Sequence, residues 1–149
     1  MTYEEIFSQF YSKETDHTFF QKYSKDEAYE LMNNWLHSIA GIPYVRKCFS
    51  TITLDDEILE LTFVLKKSID EDSDNYFVKD ILAQGMVICW MQQKIDKATS
   101  LATVIGGKEE KTILNNYKNN IARLNSLENK LRKTIRDYGY IKNDYIGEE

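Results

Sequence analysis

The stretch FVKDILAQGMVICWMQQKI, Phe77 to Ile95, decides how this chain folds. Phe77, Ile81, Leu82, Met86, Val87, Ile88, Cys89, Trp90 and Met91 leave its second half apolar almost all round, the pattern of a buried helix and not of a surface one. The reading is a helix from about Asn75 to Lys94, with the other elements laid against it. Before it lies the polar run SIDEDSD (Ser68 to Asp74), and DEDSDN, Asp70 to Asn75, resembles the front of a calcium loop, with carboxylates at its first, third and fifth positions. Its sixth position is Asn75 where glycine is needed, and its twelfth is Ile81 where a bidentate glutamate is needed. The run is better read as a loop whose aspartates cap the helix.

Downstream lies VIGGKEEK, Val104 to Lys111. A phosphate-binding loop would need glycine at Ala102 and a hydroxyl at Glu109; it has neither, and a carboxylate at 109 would repel phosphate. The glycines instead end an irregular segment expected over Asp96 to Gly107. Glu109 and Glu110 then sit in a first helical turn, where the helix dipole favours negative charge. From about Lys108 to Tyr138, Leu114, Tyr117, Ile121, Leu124, Leu131, Ile135 and Tyr138 keep a 3-4 spacing interrupted once at Glu128, a seam for helix-helix packing. The remainder, GYIKNDYIGEE (139–149), shows no helical period and reads as an extended tail.

Upstream, Thr2 with Glu5 and Ser24 with Glu27 are capping boxes that open two helices, 2–12 and one ending before Ala40 to Pro43. The second carries Ala28, Leu31, Met32, Trp35, Leu36 and Ile39 on one face. Between Ser50 and Leu65 the texture becomes β-branched and alternating, with Leu59, Leu61, Phe63 and Leu65 on one side. Asp55 and Asp56 fall at the turn, so about 50–65 is a β-hairpin. A lone hairpin is marginal and needs helices or a neighbour to pack on.

The fold class expected is therefore mainly α: a small helical bundle with a long C-terminal helix, one inserted hairpin and an extended tail. Residues 1–138 form a single helical domain and 139–149 the tail. One proline and six glycines in 149 residues agree with helix, and the 42% hydrophobic and 29% charged content exclude a disordered chain. No apolar run approaches the ~20 residues that span a bilayer, and the N-terminal segment lacks the layout of a secretory signal, so a cytoplasmic protein without membrane association is expected. Cys48 and Cys89 read as isolated buried thiols. His17 and His37 have no second ligand or nucleophile at useful spacing. No catalytic, metal or cofactor constellation emerges, and a non-enzymatic role is expected.

Charge is unevenly distributed. Residues 1–107 hold ten Lys and Arg against seventeen Asp and Glu, whereas 108–138 hold eight against four. A basic helix on an acidic body suits a charged partner or a self-complementary assembly.

The string from ILAQGMVICWMQQKI through LATVIGGKEEK into a Lys/Arg-rich helix resembles a family of small proteins from the structural gene clusters of tailed bacteriophages and prophages of Gram-positive bacteria. Gly85-Met86, Trp90, Gly106 to Lys111, Arg136, Tyr138 and Tyr140 carry the likeness. The resemblance covers roughly the last 75 residues, with only the layout matching before residue 50. It implies a head-tail connector of the adaptor type, located in the virion neck and in the host cytoplasm during assembly. Such a protein docks under the portal protein as a homo-oligomeric ring of about twelve copies. It also meets the next neck or tail-completion protein and lets the genome DNA pass through its lumen without specific binding. The partner interface expected on this reading comprises Arg132, Arg136, Tyr138, Tyr140, Ile141, Tyr145 and Ile146. The alternative is a nucleic-acid-binding or regulatory helical protein using Lys108, Lys111, Lys118, Arg123, Lys130, Arg132, Lys133 and Arg136.

Overall fold

The structure, a computed structural model, describes residues 1–13, 21–105 and 107–146; the side chains of 98–106, 108–110, 113–114 and 141–149 lie outside the described residues, as does His17. The elements in order are α1 (Tyr3–Lys13), α2 (Lys25–Gly41), α3 (Pro43–Arg46), β1 (Phe49–Asp55), β2 (Glu60–Leu65), α4 (Glu71–Ile105) and α5 (Gly107–Ile146). The mainly helical class, the long C-terminal helix and the single antiparallel hairpin are those the sequence pattern indicates.

Helix α4 is the axis of the fold: α1, α2 and α5 all pack on it. Every residue from Ile81 to Ile88 is buried, including Gln84 and Gly85. Burial of α4 on several sides follows from its lack of a polar face. Its N-terminus is fixed by Asp70, whose carboxylate accepts the Ser73 N–H at 2.7 Å, an N-cap that starts the helix four residues before the expected Asn75. The helix also continues past Lys94 to Ile105, replacing the irregular segment expected at 96–107. No proline or glycine occurs between Gly85 and Gly106 to stop it.

Helix α4 ends at Ile105 and α5 begins at Gly107, which takes φ 72°, the left-handed conformation that glycine adopts without strain. The double glycine is thus a helix break. Helix α5 returns antiparallel along α4, bringing Tyr138 near its end onto Phe77 near the start of α4, with ring centroids 3.9 Å apart and planes within 6°. Leu124 and Leu131 are buried in the shared core, with Tyr117, Ile121, Leu127, Ile135 and Tyr138 half-buried beside them, so the seam is the packing face. Helix α5 carries on through 139–146, which the sequence pattern reads as extended. That stretch contains no proline and a single glycine, and adding residues to an existing helix is far easier than nucleating one. Residues 147–149 lie outside the described residues.

Helix α2 crosses α4 at very close range. A Cβ on Gly85 would stand 1.8 Å from Cγ1 of Ile39, so the missing side chain makes the crossing possible. The N-termini of α1 and α2 are closed by the expected boxes: Glu5 N–H to Thr2 Oγ1 and Glu27 N–H to Ser24 Oγ, both 3.2 Å. A Lys13–Asp80 ion pair at 2.6 Å joins the end of α1 to α4.

In the hairpin, Phe49 pairs with Leu65 and Asp55 with Glu60, and a register shift between Phe49 and Thr51 leaves Ser50 as a bulge. Phe49, Leu61 and Leu65 enter the core while Phe63 is half-buried. Leu59, expected on the same face, instead lies in the turn at φ 56° and is exposed. Its carbonyl accepts the Tyr3 N–H at 2.9 Å. The Leu61 N–H donates to the Met1 carbonyl at 2.7 Å and Thr2 bridges Glu60, so the start of the chain adds a third short edge to the hairpin.

Substituting Gly85→Ala should lower stability by about 1–3 kcal/mol through overpacking, although alanine is the better helix former by about 1 kcal/mol. In a double-mutant cycle with Ile39→Ala, the pair should cost less than the sum of the singles, read from urea unfolding. Trp90→Ala, at a position 6% exposed, should cost about 3–5 kcal/mol. An unchanged midpoint would move Trp90 out of the core.

Candidate functional site

Two polar constellations and one groove stand out. The first constellation joins the hairpin turn to the helices. The Tyr3 hydroxyl donates to Asp56 Oδ1 at 2.6 Å, and His37 Nε2 lies 2.8 and 3.1 Å from the two Asp56 oxygens. These bonds, the Tyr3 hydroxyl first and His37 next, hold the Asp56 carboxyl below the usual carboxylate range. Burial, followed by the bond to Asp56, pushes the Tyr3 hydroxyl well above its own. A His–Asp pair supplies two members of a hydrolytic triad, but the third member here is a phenol donating to the carboxylate and not a nucleophile bonded to the imidazole. The cluster is a clamp that fixes the turn against α1 and α2.

The second constellation centres on Asp74, a carboxylate only 8% exposed. It accepts the Ile69 N–H at 2.9 Å and short bonds from the Ser68 and Tyr138 hydroxyls. Three donors compensate for its burial. The Tyr138 hydroxyl is raised above its ordinary value, by burial first and then by its bond to Asp74. Tyr138 is thereby held at both its ring and its hydroxyl.

Beside the Phe77–Tyr138 stack runs a groove of about 580 Å³. Arg132, Ile135, Arg136, Tyr138, Gly139 and Tyr140 of α5 form one wall. Tyr44 of α3, Lys47, Cys48, Leu65, Lys66 and Lys67 form the other, and Phe77 contributes from α4. Among the described residues, five cations line it and no carboxylate does. The Arg132 guanidinium lies 4.1 Å from the Tyr44 ring centroid, a cation-π contact that fixes one side of the groove. The Lys67 ammonium lies where Gly139 has no side chain, 3.6 Å from the position a Cβ would take. Tyr140 remains 55% exposed at the rim. Cationic heads around apolar ring faces form a surface for a partner that combines negative charge with apolar groups.

Of the interface residues expected from the sequence, Arg132, Arg136, Tyr138 and Tyr140 share this groove, whereas the side chains of Ile141, Tyr145 and Ile146 lie outside the described residues. Sequence reading missed Tyr44, Lys47, Lys66 and Lys67. Lys66-Lys67 is visible as a doublet after the hairpin, but nothing local places it opposite α5. Cys48 and Cys89 are free thiols, half-buried where full burial was expected. Desolvation pushes the Cys89 thiol up to about 11 and raises Cys48 as well, which disfavours the reactive thiolate. Among the described residues, no group of three or more His, Cys, Asp or Glu is placed to hold a metal ion, and no helix is long and apolar enough to cross a membrane.

Tyr138→Phe removes a donor from a buried carboxylate and should cost about 1–3 kcal/mol in urea unfolding at neutral pH. The Tyr3 and Tyr138 hydroxyls are both held well above the ordinary tyrosine value of about 10 in the folded protein. Their contribution is therefore complete below pH 10 and is lost as pH rises beyond it. The double variant Tyr3→Phe/Tyr138→Phe should accordingly show a flatter alkaline fall in unfolding midpoint than the wild type. An equally steep fall would assign the alkaline sensitivity to other groups.

Comparison of the chain with protein-family models, with curated proteins and with solved structures finds no match.

Proposed function

We propose that this protein is a structural virion component, a head-tail connector of the adaptor type that forms a ring below the portal and extends the DNA channel. The observation that carries the reading is the separation of charge on one folded chain. A concave groove lined by Lys47, Lys66, Lys67, Arg132 and Arg136 belongs to a chain whose formal net charge is −5. Two unlike surfaces on one chain favour heterologous contact between copies, the geometry that closes into rings. The helical hairpin of α4 and α5 supports it as well. At 1.5 Å per residue, helices of 35 and 40 residues reach about 50–60 Å, long enough to carry side-by-side contacts. The sequence resemblance from Ile81 to Tyr140 supplies the phage context.

The test is native mass spectrometry of the protein alone and mixed with the portal protein of the same gene cluster. A portal complex carrying about twelve copies is expected; absence of any association would overturn the reading.

A second reading, nucleic-acid binding, is favoured by one observation: the groove places arginines and lysines beside the exposed Tyr140 ring, a combination that suits phosphates and bases. It predicts strong retention on heparin that falls steeply with salt, and loss of that retention in Lys66→Glu/Arg136→Glu. The connector reading predicts weak retention.

A further inference from the structure

The basic groove lies at one end of the hairpin, and a surface of opposite character lies at the other. The groove takes Cys48, Leu65 and Lys66 from the hairpin base. Six residue steps along β1, about 20 Å at strand rise, the turn carries Asp55, Asp56, Glu57 and Glu60 with no cation among residues 55–60. All six residues of the turn are exposed, and Ile58 projects from it at 62% exposure. The turn is also rigid. Asp55 Oδ1 accepts the Glu57 N–H at 3.0 Å and the Ile58 N–H at 3.4 Å. Asp56 is held by Tyr3 and His37, and Leu59 by its carbonyl bond to the Tyr3 N–H. A preorganised acidic knob with an apolar tip loses little freedom on docking.

We infer that the hairpin turn of one copy docks into the basic groove of the next, with Ile58 against the Tyr44 and Tyr140 rings and the Glu57 and Glu60 carboxylates among Lys47, Lys66 and Arg136. The inference rests on the ring-forming reading above and names the contact between neighbours. A competing acidic surface, the hollow lined by Asp72, Asp80 and Asp137 on the other side of the Phe77–Tyr138 stack, is concave. A concave surface cannot fill a groove, whereas the turn is convex. Because groove and turn are different surfaces at opposite ends of one element, the contact is head-to-tail and propagates from copy to copy. Individual exposed ion pairs contribute little and are screened by salt, so association of the isolated chain is weak, salt-sensitive and concentration-dependent.

The test uses the full chain and two variants altered only at exposed side chains: a turn variant, Glu57→Lys/Ile58→Ser, and a groove variant, Lys66→Glu/Arg136→Glu. Unchanged urea midpoints establish that both fold. In sedimentation velocity at low salt and high concentration, the wild type should form multiples of the chain mass that vanish at high salt. Each variant alone should stay monomeric. An equimolar mixture should give a dimer and nothing larger, because each variant retains the surface the other has lost. A monomeric wild type under these conditions, self-association of the turn variant alone, or a mixture that stays monomeric would each overturn the contact; self-association of the turn variant alone would point to the acidic hollow. If the groove variant loses polyanion binding while its self-association is unchanged, the groove serves nucleic acid and the inference fails. If both variants enter portal rings as the wild type does, the inference fails and the connector reading stands; if the wild type fails to enter, the connector reading fails by itself.

Discussion

A helix that is apolar on nearly every side must be covered on nearly every side, and that requirement on α4 organises the molecule. Helices α1, α2 and α5 pack on it, together forming one core that takes in Phe10, Trp35, Leu36, Phe77, Met86, Trp90, Met91 and Leu131. Burial of this many large apolar side chains is the main stabilising term for a chain of this size. The same requirement explains why Gly85 stands where it does. To cover α4 fully, α2 must approach until Ile39 occupies the space of a side chain. Close approach replaces a void with dispersion contacts on both helices.

The polar constellations follow from that packing. With α4 central, α5 folds back and carries Tyr138 to the start of α4, where a ring stack and Asp74 hold it. The hairpin, too short to be stable alone, is fixed at its turn by Asp56 between Tyr3 and His37 and along one edge by the Met1 and Thr2 backbone. With Phe49 and Leu65 buried in the core at its base, the hairpin has a defined direction across the body. The groove at its base and the acidic turn at its tip are consequences of that placement.

The local sequence was most informative where a backbone rule decided the outcome. Thr2–Glu5 and Ser24–Glu27 cap helices because their spacing lets each hydroxyl accept an N–H that has no helical partner. Gly107 separates the long helices because only glycine takes its positive φ freely. The failures also have physical causes. The segment from Asp96 to Ile105 lacks a strong apolar period, yet nothing in it stops a helix already propagating. Leu59 reads as strand in the alternation, but the turn requires a left-handed residue there, and its bond to the Tyr3 N–H lies 56 positions away in sequence.

The candidate site was half legible. Arg132, Arg136, Tyr138 and Tyr140 are grouped through the family resemblance, although Tyr140 reads as part of an extended tail and only the continued α5 puts it on the same helix. Tyr44, Lys47, Lys66 and Lys67 come from two other segments, and no short-range pattern links them to α5. His37 looked isolated for the same reason, since its partner Asp56 sits 19 positions away on a turn. By itself the sequence determined the helical class, the hairpin, the caps and the buried axis, because each depends on periodicity or on the chemistry of a few adjacent residues. Only the tertiary structure decided which charges share a surface, because that depends on how far α4 and α5 run before the chain reverses and on which end of the hairpin the return of α5 reaches.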